Sequence, residues 1–167
     1  MADGRRGPLT ALNDVLAALL RALLVLAVAV LVIPVSLQIF SRYTALIPSY
    51  IWTEEMARFL FVWAIMLGAM LGVREGTHLL VDLWPPGGAR RQALLDLLAD
   101  LAIAVLAGVF LWWGWRFTEG AFYRISELAE LPLWLIHMAW PITGLVWVLF
   151  LLERVLEDVR VLRGRGP

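Results

Sequence analysis

An all-α integral membrane protein with four transmembrane helices and both termini in the cytoplasm is the fold class predicted by this 167-residue sequence. Three observations carry that prediction. Hydrophobic residues make up 62% of the chain and charged residues 17%, against about 45–50% and about 25% in soluble domains. Mean hydropathy is +0.81, and the charges are separated by uncharged runs long enough to cross a bilayer. The arginines are distributed unevenly between alternate loops, which sets an orientation. The fourteen basic residues, all arginine, balance fourteen acidic ones, so there is no nucleic-acid footprint. The absence of cysteine excludes thiolate nucleophiles, zinc–thiolate sites, iron–sulfur clusters and a four-helix thiol oxidase.

Each element follows from the spacing of its charges. Residues 9–20 read as an amphipathic lead-in on the inner membrane surface, with Asn13 and Asp14 turned to water. The apolar stretch that follows is too long for a cleaved signal peptide. Twenty uncharged residues between Arg21 and Arg42 make a first span over about residues 20–42, with Pro34 inside it. Only fifteen separate Arg58 from Arg74, about 22 Å of helix. The second span must therefore start earlier and cover about 50–74, taking in Glu54, Glu55 and Arg58. An interfacial segment holding His78 and Asp82 comes next. The third span, about 92–116, is long enough only if it includes Asp96 and Asp100. A charge at the centre of a bilayer costs at least about 2.5–3.5 kcal/mol, so these acids belong near the membrane surface. The last span, about 132–153, starts beside Pro132 and Trp134 and contains Pro141. No repeat or linker divides the chain, and the whole of it reads as a single membrane domain.

Ten arginines fall in the N-terminus, second loop and C-tail, and four in the first and third loops. Both termini are therefore expected in the cytoplasm. Trp52, Trp112, Trp113, Trp115 and Trp134 then fall in an outer aromatic belt.

The polar residues divide into functional and structural readings. Gly68 and Gly72 form a GxxxG, the spacing at which membrane helices approach closely. Glu54 lies a whole number of turns from Gly72 and shares that face, with Arg58 one turn on. Proton or ion handling by Glu54 is one reading. A Glu54–Arg58 pair that positions a helix and its partner is favoured, since the counter-charge is local. A partner helix or loop is expected to cover Glu54, while Glu55 faces the outer surface or a docking partner. His78 and Asp82, four apart, are too few for a metal site and read as a structural pair. His78 and His137 fall on opposite sides of the membrane, which removes a bis-histidine haem. Asp96 and Asp100, also four apart, are expected to form salt bridges, with Arg21 as the partner. No catalytic constellation appears.

Residues 36–85 also resemble a known family. They read Gln38-Ile39-Phe40-Ser41-Arg42-Tyr43, then Ile51-Trp52-Thr53-Glu54-Glu55-Met56-Ala57-Arg58, then Leu67-Gly68-Ala69, and Arg74-Glu75-Gly76-Thr77-His78 with Val81-Asp82. This order and spacing resembles the small Q subunit of tripartite ATP-independent periplasmic (TRAP) transporters. Leu131-Pro132-Leu133-Trp134 and Pro141 match more weakly, and the third loop and termini match least. The resemblance implies a scaffold for a separate, large multi-span M subunit that moves substrate with sodium by an elevator motion. It also implies a periplasmic binding protein that delivers an organic acid. Sodium would bind the large subunit, and this chain would hold no cofactor and perform no catalysis. Its place would be the bacterial inner membrane, surrounded by lipid. Arg42, Trp52, Glu54, Glu55, Arg58, Gly68, Gly72, His78 and Asp82 would serve subunit contact or structure. The rival reading is a self-sufficient, proton-coupled four-helix exporter with Glu54, Asp96 or Asp100 as carrier.

Overall fold

The computed structural model describes residues 8–44, 48, 50–76 and 89–162, with side chains described at 95–156 of the last stretch. Among the described residues five helices follow one another: α1 (Pro8–Tyr43), α2 (Trp52–Glu75), α3 (Ala89–Glu119), the single turn α4 (Trp134–His137) and α5 (Ala139–Leu162). Four of the described stretches are long and apolar enough to cross a membrane: Pro8–Tyr43, Trp52–Glu75, Leu95–Glu119 and Trp134–Leu156. They overlap the four expected spans.

α1 departs from expectation at its start. Its 36 residues extend about 54 Å, well beyond the hydrocarbon thickness of about 30 Å. No helix breaker lies between Leu9 and Ile33, so the expected surface lead-in continues directly into the span. Its first turns pack inward through Asn13, Ala17 and Leu20. Asn13 is fully buried; it does not face water.

α2 ends at Gly76, whose φ of +66° is the left-handed conformation glycine adopts without a Cβ clash. The last span is broken at Met138. Pro141 has no N–H for the carbonyl four residues back, and the helix re-forms as α5 from Ala139.

The helices are arranged in a row. α1 packs against α2, α2 against α5, and α5 against α3, while α1 and α3 do not meet among the described residues. The core sits between the inner members, on Met70, Leu71, Val73, Ala107, Val146, Trp147 and Phe150. Two tryptophans tie α2 to the last span through hydrogen bonds: Trp147 Nε1 donates to the Ala69 carbonyl at 3.1 Å and Trp63 Nε1 to the Leu135 carbonyl at 3.0 Å.

α3 and α5 approach each other closely where glycine permits it. A Cβ on Gly144 would lie 2.8 Å from the Ala107 carbonyl oxygen and 3.0 Å from the Leu111 nitrogen. A Cβ on Gly114 would lie 2.8 Å from Trp140 Cβ. Thr118 and Thr143, both fully buried, donate their hydroxyls to the carbonyls of Gly114 and Ala139 in their own helices. The seam is thus closed without an unsatisfied hydroxyl.

Candidate functional site

Most of the paired polar groups gather near the two ends of the helices. At the end where α1 begins and α5 finishes, Arg74 from α2 lies between two acids. Its Nη2 meets Asp14 Oδ1 of α1 at 2.7 Å and its Nη1 meets Glu153 Oε2 of α5. Its guanidinium also stands 5.7 Å from the Phe150 ring centroid. Asn13 donates to the same Glu153 oxygen at 2.7 Å and to the Leu149 carbonyl at 3.3 Å. The next residue, Arg154, turns the other way: its Nη2 meets Asp100 Oδ1 of α3 at 3.1 Å and its Nη1 donates to the Val73 carbonyl at 3.1 Å. That carbonyl is among the last of α2 and also accepts the N–H of the capping Gly76 at 3.4 Å. The Glu153-Arg154 dipeptide therefore fastens α5 to α1, α2 and α3 together.

This arrangement corrects the expected internal pair. Arg21 Nη2 meets Glu75 Oε1 at 3.0 Å, and Asp100 is claimed by Arg154. The row order is the reason: α2 lies beside α1, whereas α3 does not touch α1 among the described residues. Equal depth along the membrane normal was not enough to bring Arg21 to Asp100. Asp96 lies one turn before Asp100 and is half-buried. His78 and Asp82 lie outside the described residues.

At the opposite end, residues 120–133 form a tight hairpin. Ser126 N donates to the Leu131 carbonyl at 2.8 Å and Leu133 N to the Arg124 carbonyl at 2.9 Å. The reversal puts Glu130 at φ +54°, a conformation non-glycine residues seldom adopt. Glu55 secures the hairpin tip. Its Oε2 accepts the backbone N–H groups of Leu128 at 3.0 Å and Ala129 at 2.7 Å, and the Ser126 side chain hydrogen-bonds the same carboxylate. Glu55 is 8% exposed, so the expectation that it faces outward is overturned. Bulky residues decide which faces of α2 turn inward: Phe59, Met70 and Val73 are buried on the side of Glu55, and Leu67 and Leu71 on another. Glu55→Ala should leave two hairpin N–H groups without an acceptor and cost about 1–3 kcal/mol. Faster hydrogen exchange at Leu128 and Ala129 is the check; unchanged protection would mean that the carboxylate does not hold the tip.

Glu54 does share a face with Gly68, as its spacing requires, but that face points out of the chain. The Glu54 and Arg58 side chains are 71% and 62% exposed and stand 3.9 Å apart. Gly72, further along, is buried, whereas a Cβ on Gly68 would meet nothing within 4 Å. At the head of this face a cleft of about 630 Å³ opens between the adjoining ends of α1 and α2, with Arg42, Gln38, Ser41 and Glu54 on its walls. Gln38 Nε2 is buried there without an acceptor. Trp52, Trp112, Trp113 and Trp115 are exposed, as side chains of an aromatic belt are. His137 stacks on Phe117 with ring centroids 3.9 Å apart. Among the described residues, no three His, Asp or Glu side chains converge on a metal position.

Sequence reasoning turned Asn13 and Asp14 to water without giving them partners, and missed the roles of Glu153 and Arg154 and the Gly114–Gly144 seam. A signal was available for part of this. An acid and an arginine side by side at the end of a span need two different partners, and Gly144 beside Thr143 is a small pair in a run of large residues.

Comparison with known proteins agrees with this architecture. The family described as tripartite ATP-independent periplasmic transporters, DctQ component, matches residues 31–161. The sialic acid TRAP transporter small permease protein SiaQ of Vibrio cholerae is 26% identical over 131 residues, covering 76% of this chain and 73% of that protein. The C4-dicarboxylate TRAP transporter small permease protein DctQ of Rhodobacter capsulatus is 33% identical over 94 residues, 54% of this chain and 41% of that one. The isethionate TRAP transporter permease protein DctMQ of Oleidesulfovibrio alaskensis is 25% identical over 114 residues, 66% of this chain but 18% of that much longer protein.

Proposed function

Because the chain belongs to the DctQ component family of tripartite ATP-independent periplasmic (TRAP) transporters, we propose that it is the non-catalytic scaffold subunit of a sodium-coupled organic-acid importer. In this reading it lies in the bacterial inner membrane with both termini in the cytoplasm. It anchors and stabilises a separate large transport subunit. Sodium and substrate bind that large subunit, and a periplasmic binding protein delivers the cargo. The relatives' names mention sialic acid, a C4-dicarboxylate and isethionate, all organic acids, which supports an organic anion as cargo here.

One observation carries the scaffold role. Apart from Glu54 and Arg58 on the outward face of α2, several charged side chains lie toward the helix ends and are held by partners on neighbouring elements there: Arg74 and Arg154 on Glu153 and Asp100, and Glu55 on the hairpin. Mid-span, Thr143 is satisfied by a carbonyl of its own helix. A conduit needs polar groups facing a cavity along its length, whereas here Arg74, Glu153, Arg154 and Asp100 join one helix to another. Reconstitution in liposomes is the test. The chain alone should move no solute. Together with the large subunit and the binding protein, it should support sodium-dependent uptake that is lost when it is omitted. Solute movement by the chain alone under a proton gradient would overturn the scaffold reading in favour of the small exporter.

A further inference from the structure

We propose that the outward stripe of α2, formed by Glu54, Arg58, Phe61, Ile65 and Gly68 together with the Gln38–Arg42 cleft at its head, is the face on which the large transport subunit seats. The inference rests on the scaffold reading and adds to it which surface makes the contact.

The stripe is the outward face of an otherwise enclosed helix. Taking 100° per residue, positions 54, 58, 61, 65 and 68 fall within about 40° of one line along α2. Glu54, Arg58, Phe61 and Ile65 are its exposed residues between Thr53 and Arg74. The other sides of α2 are covered by α1 and α5.

Its composition is wrong for lipid. The exposed residues of the α1 span are aliphatic, such as Val25, Leu26, Val28 and Val32, as a lipid-facing surface requires. The α2 stripe instead places Arg58 about 9 Å along the axis from Trp52, inside the length that must cross hydrocarbon. One contact at 3.9 Å to Glu54 leaves most of the five guanidinium donors unused. The buried Gln38 Nε2 without an acceptor lies in the cleft that Glu54 also lines. Below the pair, Phe61 and Ile65 project, and the open space at Gly68 can receive a side chain from another helix. The complementary partner is therefore a membrane helix with acceptor groups near its outer end and a large apolar side chain about three turns deeper.

Two occupants fit such a face, a second copy of this chain or the large subunit. The DctMQ relative favours the large subunit, because a region similar to this chain occupies only 18% of a single permease protein. In that protein the region shares a chain with a much larger body.

The chain contains no cysteine, so single cysteines can be placed without background. With large and small subunits co-expressed, Ile65→Cys carrying a benzophenone maleimide should photocross-link to the large subunit. Val25→Cys, on the aliphatic face of α1, should not. Gly68→Leu should leave the small subunit's own thermal stability unchanged but lower recovery of the large subunit about tenfold or more. Swapping the charges, Glu54→Arg with Arg58→Glu, should also lower recovery, whereas a pair that served only itself would tolerate exchange. Cross-linking from Val25 but not Ile65, or full recovery with Gly68→Leu and the charge swap, would overturn the proposal, as would Ile65 cross-links solely between copies of this chain. If the wild-type chain never purifies with a large subunit, the scaffold reading itself fails, and that outcome is distinct from the others.

Discussion

Replacing Gly144 by leucine should destroy the folded chain, with a cost of about 3 kcal/mol or more. The first atom of any side chain there would sit 2.8 Å from the Ala107 carbonyl oxygen and 3.0 Å from the Leu111 nitrogen. Both are backbone atoms of α3 and cannot rotate aside as a flexible side chain can. Relief requires α3 to move away from α5, and among the described residues α3 has no other helical neighbour besides the short α4. The Ala107–Phe150 part of the core would open with it. Gly68→Leu is the matched control, since the same substitution enters open space. Size-exclusion profiles after graded heating in detergent should show the Gly144 variant aggregating well below wild type and the Gly68 variant coinciding with it. Equal stability of the Gly144 variant and wild type would mean that the seam is looser than described.

The second large effect is expected at Arg74. Arg74→Met leaves Glu153, 6% exposed, without its counter-charge and should cost about 3–5 kcal/mol, the range seen when one member of a buried pair is removed. Asn13 still donates to that carboxylate but supplies no positive charge. Arg74→Met combined with Glu153→Leu removes both charges, so the double variant should be closer to wild type than the Arg74 variant alone. That sign of coupling is the measurement, read as thermal stability across the four members of the cycle. Additive losses would show that the two side chains do not depend on each other. Arg21→Gln, by contrast, breaks an ion pair whose side chains are 59% and 45% exposed and should change stability little.

Much of the architecture was legible because it depends on quantities that sequence records directly. The run from Arg21 to Arg42 is long enough to span, and the short run from Arg58 to Arg74 forces Trp52–Arg58 into the second helix. The α2 helix does begin at Trp52. Helical spacing also placed Glu54 and Gly68 on one face. It did not reveal that the face looks outward, because periodicity gives relative angles around a helix and not which angle meets a neighbour. The assumption that small residues mark the inward side exchanged the places of Glu54 and Glu55.

By itself, then, the sequence determined the all-helical class, the number of membrane spans, and the family motif from Arg42 to His78. These depend on transfer free energies and backbone geometry, which are properties of a segment. The tertiary structure decided lateral neighbours. It placed α2 and α5 in the middle of the row, gave Arg74 to Glu153 and Arg154 to Asp100, brought Glu55 to the hairpin tip, and put the close glycine contacts at Gly114 and Gly144. Apolar spans are nearly equivalent to one another in lipid, so hydrophobicity cannot rank their neighbours. Steric fit at small residues and the pairing of the few polar groups do so, and both appear only once the helices are side by side.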